Sequence, residues 1–426
     1  MKFSVEMKRS SILLICFVFY SVANAQQELE LNPVEQLPQQ IKMQDEAIKA
    51  VQKLKVSGYI QPQFQYGEED ASLSVGAANG NESTSFNRIG IRRGRIKITY
   101  DEGIASVVFQ LNMTEKGVGI KDAYLNLKEP WLGTNTLRVG VFGHPFGYEI
   151  NQSSSSRETP ERSLIFRTLF PEARDIGGML IMQTAKTSPL HFLKLEAGFF
   201  AGNGIKQEID NRKDFIGHLS ADKNISDNIN LGFGLSYYNG GVYQGKENIY
   251  SMLGKAFVLN SDDSNLGKFA KREYFGFDGQ FNIISPVGKT KLRGEYLWGT
   301  QPGNISGSKS PNSSALATTD TYIRNFNGGY VMFVQDIGFT PFSAVLKYDW
   351  YDPNTKVAAN EIGLNDTNKG DIDYRTFGLG FLWRVTNNVR LQAYYEFVNN
   401  EKSESLSSYN KDLEDDVFTL RLQYKF

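Results

Sequence analysis

Cysteine is nearly missing from this chain. Cys16 is the only one in 426 residues, and it sits in the apolar stretch 11–20. That excludes a disulfide framework, a thiolate metal centre and a cysteine nucleophile from the rest of the chain. Histidine is almost as scarce: His144, His191 and His218 fall in separate segments. No HExxH, GxSxG, phosphate-binding P-loop or dinucleotide fingerprint is present, so no enzyme class has its motif here, and neither a metal site nor a cofactor is expected. Net charge is small too. The 46 Lys and Arg stand against 47 Asp and Glu, a formal charge of -1, which gives no general attraction to nucleic acid. Long apolar runs are absent after residue 20, and a membrane-spanning helix needs about 18 to 20 apolar residues.

What is present begins with a leader. Lys2, Lys8 and Arg9 precede the apolar stretch, and Ala23-Asn24-Ala25 has the small-x-small pattern of a cleavage site. Residues 1–25 are therefore expected to be a secretory signal peptide. Without that leader, which carries three cations and Glu6, the remaining charge is about -3. Residues 26–54 form a second region, rich in Gln and Glu, with Pro33 and Pro38. Ile41, Ala47 or Ile48, Val51 and Leu54 fall near helical spacing, which predicts one short amphipathic helix acting as a periplasmic arm, a plug inside the lumen or a contact for a partner.

From residue 55 to residue 426 the pattern changes to a period of two. Phe418, Leu420, Leu422, Tyr424 and Phe426 share one face of a strand, against Thr419, Arg421, Gln423 and Lys425 on the other. Phe377, Leu379, Phe381 and Trp383 repeat the arrangement, as do Phe342, Ala344, Leu346, Tyr348 and Trp350. One greasy and one polar face describes a strand between an apolar medium and water. Such stretches are expected at 55–66, 88–100, 104–114, 120–129, 135–142, 176–184, 191–200 and 214–221. They continue at 228–238, 273–284, 290–298, 324–334, 342–351, 374–385, 388–398 and 414–426. Short turns alternate with long polar connections. These features predict an all-β, transmembrane antiparallel β-barrel of about 16 strands, with lipid outside and a wet lumen inside. Ordinary overall hydrophobicity, 40%, is what such alternation produces.

Cations recur on the expected lumenal face. Arg93, Arg95 and Lys97 share one side of a single strand, and Lys347, Arg390 and Arg421 occupy inward positions elsewhere. A cation facing lipid near mid-membrane costs roughly 2–4 kcal/mol, so the lumen is their cheaper place. Arg157, Arg162, Arg167 and Arg174 lie in the connection 151–175, mixed with Leu164, Ile165, Phe166, Leu169 and Phe170. Its apolar residues want burial, so this connection is expected to fold inward as a constriction or to pack on the lumen wall. Its arginines either offer an anion path or pair with the nearby Glu158, Glu161, Glu172 and Asp175.

Several of these stretches carry a resemblance. FNRIGIRRGRIKITYDEG from Phe86, IKDAYLNL from Ile120, LRVGVFGHPFGYE from Leu137 and RSLIFRTLFPEARDIGGML from Arg162 resemble the phosphate-selective porin O and P family of Bacteroidetes outer membranes. Where that pattern often has a lysine before a Pro-Phe pair, this chain has His144. The resemblance implies a location in the cell outer membrane and passive diffusion of small solutes, with anions or phosphate preferred. The implied partners are outer-membrane lipid and lipopolysaccharide, with no nucleic acid. It also implies either a homo-trimer or a non-conducting accessory or scaffold barrel bound to other outer-membrane proteins. Phe426, the aromatic closing the alternating stripe, resembles the signal read by the barrel assembly machinery.

Overall fold

In the computed structural model the described residues are 51–78, 84–309 and 318–426. The expected signal peptide and residues 26–50 of the expected N-terminal segment lie outside the described residues.

Sixteen strands form the wall. They are β1 (Leu54–Gly67), β2 (Phe86–Asp101), β3 (Ala105–Thr114), β4 (Gly117–Lys128), β5 (Thr136–Gly143), β6 (Arg174–Gln183), β7 (Leu193–Phe200), β8 (Asp214–Ser226) and β9 (Ile229–Tyr243). After a two-stranded excursion, β10 (Asn248–Leu253) and β11 (Ala256–Ser261), the wall resumes with β12 (Phe269–Ser285) and β13 (Gly288–Gly303). It ends with β14 (Thr321–Asp336), β15 (Phe342–Asp352), β16 (Tyr374–Arg384), β17 (Val389–Asn400) and β18 (Val417–Lys425). Wall neighbours pair antiparallel, β9 with β12, and β18 returns to β1 with Phe64 opposite Leu420. Gly58 and Phe426 exchange both backbone hydrogen bonds at 3.0 Å across that seam. Closure leaves no edge strand, as lipid requires.

The period of two decides which side chains face out. Phe377, Leu379, Phe381, Trp383, Leu420, Leu422 and Tyr424 are all exposed on the outer surface. Arg421, Gln423 and Thr419 from the alternate positions are buried inside. An outer band of Leu, Phe and Val of this extent belongs in the hydrocarbon of a membrane, and closed barrels of this kind span outer membranes. Aromatic rings stack along it, for example Phe275 on Trp298 at 5.7 Å and Tyr348 on Trp350 at 6.0 Å.

Connections differ at the two ends. At one end they are short: 102–104, 227–228, 286–287 and 385–388. At the other they are long, except for the two-residue turn 115–116. One of the long polar connections expected from the sequence, 240–271, holds the β10–β11 hairpin. Its rim strand runs parallel to the start of β14, with Tyr250 stacked on Tyr322 at 4.3 Å. The alternation there is short and was masked by flanking polar residues. Met252 of the hairpin joins Val357, Ile362 and Ile372 and, from the last long loop, Leu406 and Tyr409 in a small apolar cluster. The long connections at that end are thus bound to one another.

Candidate functional site: an inserted loop and two lumenal cavities

Residues 144–173, which join β5 to β6, fold into the lumen. Phe146, Ile150, Ile165, Phe166, Leu169 and Phe170 cannot stay in water at a favourable free energy, and each is at most 3% exposed. A short helix, α1 (Leu164–Leu169), carries three of them. Phe170 packs on Tyr238 and Tyr274 at 6.0 and 5.7 Å, and Phe166 on Tyr330 at 6.2 Å. The resulting apolar cluster reaches from Phe142 and Phe200 on one side of the wall to Val345, Leu382 and Tyr394 on the other. His144 is buried within it, 5.4 Å from the Phe170 ring, with Nε2 3.7 Å from Asp175. Gly147 adopts φ +57°, and a β-carbon there would collide with the Glu295 carboxylate. The tight approach of loop to wall at this point thus depends on glycine.

Three loop carboxylates hold the wall. Glu149 accepts from Lys347 Nζ at 2.6 Å. Glu158 accepts from Arg293 at 2.8 Å and Lys291 at 3.0 Å. Glu161 gathers Arg93 at 2.7 Å, Arg92 at 2.8 Å and Arg421 at 3.0 Å. Neutral groups complete the seal: Tyr59 Oη lies 2.6 Å from Ser154 Oγ, Gln423 donates to Ser155 O, and Gln392 donates to Glu158 O.

The cations expected from the sequence therefore separate into groups. Arg93, Arg421 and Lys347 are bound to loop carboxylates. Arg390 donates to Gln423 at 3.2 Å. Arg157 is 1% exposed, and its Nε and Nη1 have no hydrogen-bond partner. Arg167 sits exposed in the last turn of α1. Arg95, Lys97, Arg162 and Arg174 come together around a cavity of about 280 Å³.

Lys121 and Arg138 line that same cavity, so six cations face two carboxylates, Asp122 and Glu196. Arg174 binds Asp122, and Lys194 binds Glu196 at 2.9 Å. Four of the other cavity cations rest on neutral acceptors. Arg95 donates to Ser154 Oγ at 3.2 Å, Arg162 to Ile150 O at 2.9 Å, Lys121 to Glu172 O at 2.6 Å and Arg138 to Asn126 at 2.8 Å. Arg95 Nε is buried and unpartnered. A second, larger cavity of about 690 Å³ adjoins it, between the loop and β7, β8 and β12.

Sequence alternation missed two members of these clusters. Lys121 has no partner in the β3–β4 register: Gln110 pairs with Asp122 and Leu111 with Ile120. This bulge lets Lys121 join Asp122 at the lumen. In β2 the exposed outer residues are Ile89 and then Ile98 and Tyr100, so the parity changes between them. Arg92 and Arg93 consequently both reach Glu161. Consecutive charges within an otherwise alternating strand are the sequence signal of such a break.

No family model and no curated protein matches this chain. Solved structures do resemble it. OprB of Pseudomonas putida at high pH is 9% identical with a TM-score of 0.56, over 90% of this chain and 97% of that one. OmpF of Salmonella typhi, in complex with daunomycin, is 11% identical with a TM-score of 0.55, over 88% and 97%. A loop L8 deletion mutant of OmpT, an outer membrane protein of Vibrio cholerae, is 10% identical with a TM-score of 0.52, over 88% and 99%. At these identities the likeness concerns the fold alone, which is that of outer-membrane β-barrels.

Proposed function

We propose that this barrel is a non-enzymatic outer-membrane porin through which small solutes diffuse, with anions preferred. The observation that carries the reading is the 280 Å³ cavity beside the inserted loop, where six cations face two carboxylates. Local charge at a narrow point governs an ion's barrier more than net charge spread over distant loops. Arg95 and Lys97 are the residues most directly offered to a passing anion, together with Arg138. The family resemblance of residues 86–180 supports the same reading, including phosphate among the anions and lipopolysaccharide and lipid as surroundings. The test is a reversal potential in a salt gradient across a planar bilayer. Wild type should favour chloride over potassium, and the Arg95→Ala/Lys97→Ala pair should lose most of that preference. Cation preference in wild type, or an unchanged ratio in the variant, overturns the selectivity.

A second reading has its own support. The apolar cluster around Phe166 and Phe170 crosses the lumen from β5 to β17, and a filled lumen suits an accessory barrel that binds partner proteins. Purification from the native membrane separates the two. Partners at fixed ratio and no conductance favour the accessory barrel, whereas a homo-oligomer with steady conductance favours the porin.

A further inference from the structure

The two cavities are neighbours of unlike chemistry. They share a ridge made of Asn151, Gln152 and Ser153 from the loop and Glu196 from β7. On one side lie the six cations. On the other, the charged groups are already engaged. Lys194 binds Glu196 at 2.9 Å, His218 Nε2 lies 3.2 Å from Asp278, Asp222 accepts from the Asn230 amide at 2.6 Å, and the Lys223 ammonium sits over the Phe192 ring at 5.1 Å. What this larger cavity offers a ligand is mostly neutral: the amides of Gln183 and Gln280, each with one N–H already donated, to His191 O and Asp278, the hydroxyl oxygens of Ser156 and Ser220, which donate to Ser153 O and Lys194 O, and the ring of Tyr148. About 690 Å³ falls inside the roughly 300–1,000 Å³ range of small-molecule sites.

Inorganic phosphate would use only the basic side. An uncharged hydroxylated body finds on the other side what it needs: paired donors and acceptors at side-chain amides and hydroxyls, and aromatic rings against which C–H faces can lie. We propose that the two cavities form one bipartite site for a polyhydroxylated anion, a phosphomonoester or carboxylate on a sugar-sized skeleton. Its anionic group sits among Arg95, Lys97 and Arg138, and its hydroxyls face Gln183, Ser220 and Gln280. The shared ridge of Asn151–Ser153 spans the junction. This rests on the anion-porin reading of the basic cavity and adds the class of solute.

The test is calorimetric titration of the detergent-purified full chain with glucose 6-phosphate, inorganic phosphate and glucose, read independently of conductance. Glucose 6-phosphate should bind at least tenfold more tightly than phosphate, and glucose more weakly than either. Gln183→Ala/Gln280→Ala should collapse the ratio between the two anions toward one, and Lys97→Ala/Arg138→Ala should weaken both anions together. Equal affinities in wild type, or a ratio unmoved by the glutamine pair, overturn the bipartite site. If phosphate still binds in that case, the basic cavity stands as an anion site; if neither anion binds, the anion reading falls with it. The wild-type ratio decides even where a variant fails to insert.

Discussion

On the side of β13–β18, β1 and the Arg92–Arg93 stretch of β2, lumenal cations meet carboxylates from the inserted loop. Lys347 meets Glu149, Arg293 and Lys291 meet Glu158, and Arg421 joins Arg93 on Glu161. On the side that runs from Arg95 of β2 to β8, arginines and lysines of the same wall stand around a cavity with few acids among them. One loop produces both situations because its three bracing glutamates all point toward the first side. Arginine is a staple where a carboxylate is delivered to it, and faces a cavity where none is. The lumen is therefore sealed by charge neutralisation on one side and left with excess cations around a cavity on the other.

That contrast can be broken at its strongest point. Glu161→Gln should leave Arg92, Arg93 and Arg421 crowded around a neutral group in a nearly dry site. Removing one partner of a buried ion pair costs about 3–5 kcal/mol. The expected result is a clear drop in thermal unfolding temperature in detergent together with a larger single-channel conductance. Unchanged conductance with a lowered temperature would mean that the loop does not leave the wall.

A smaller effect is expected at Gly147. Alanine there meets a left-handed backbone and the Glu295 carboxylate, an overpacking cost of about 1–3 kcal/mol. The loop should loosen beside the larger cavity. Limited proteolysis of the folded barrel should then cut within 144–173 sooner than in wild type, and equal rates would contradict this.

The smallest effect lies at the rim, in the loop 401–416, where carboxylates crowd Asp415. Burial, with Asp412, Asp416, Asp70 and Glu68 nearby, pushes Asp415 up to about 7. A raised acid favours the folded loop when protonated. Its contribution is complete below the unfolded value near 4 and is lost as pH rises through 7. Hydrogen exchange in 401–416, corrected for intrinsic rate, should therefore be slower at pH 5 than at pH 8. Asp415→Asn should remove most of that difference.

Much of this was legible in the sequence. Sixteen alternating stretches, their closure through the strands at 55–66 and 414–426, and the inward fold of the connection after β5 all follow from where apolar residues can find an apolar medium. The pairing of individual cations was not legible. Arg93 and Arg95 sit two residues apart on one strand, yet one is bound to Glu161 and the other faces a cavity. Which occurs depends on where a loop some sixty residues away sets down its carboxylates, and no local pattern records that. Lys121 escaped because a bulge in the β3–β4 pairing shifts parity by one residue, and Arg92 because the parity of β2 changes between Ile89 and Ile98; a period of two has no tolerance for such shifts.

The seating of the loop also sets an order of events in folding. Glu158 meets Gln392 across 234 positions of sequence, and Glu161 meets Arg421 across 260. Contacts so far apart carry a large loop-closure entropy and form late. Until β17 and β18 arrive, those two glutamates lack part of their company, and the segment they anchor has nowhere to lock. Completion of the wall and immobilisation of the segment are thus coupled steps. Any agent that delays the last strands should leave an intermediate whose interior is wetter and more accessible to protease than the finished molecule.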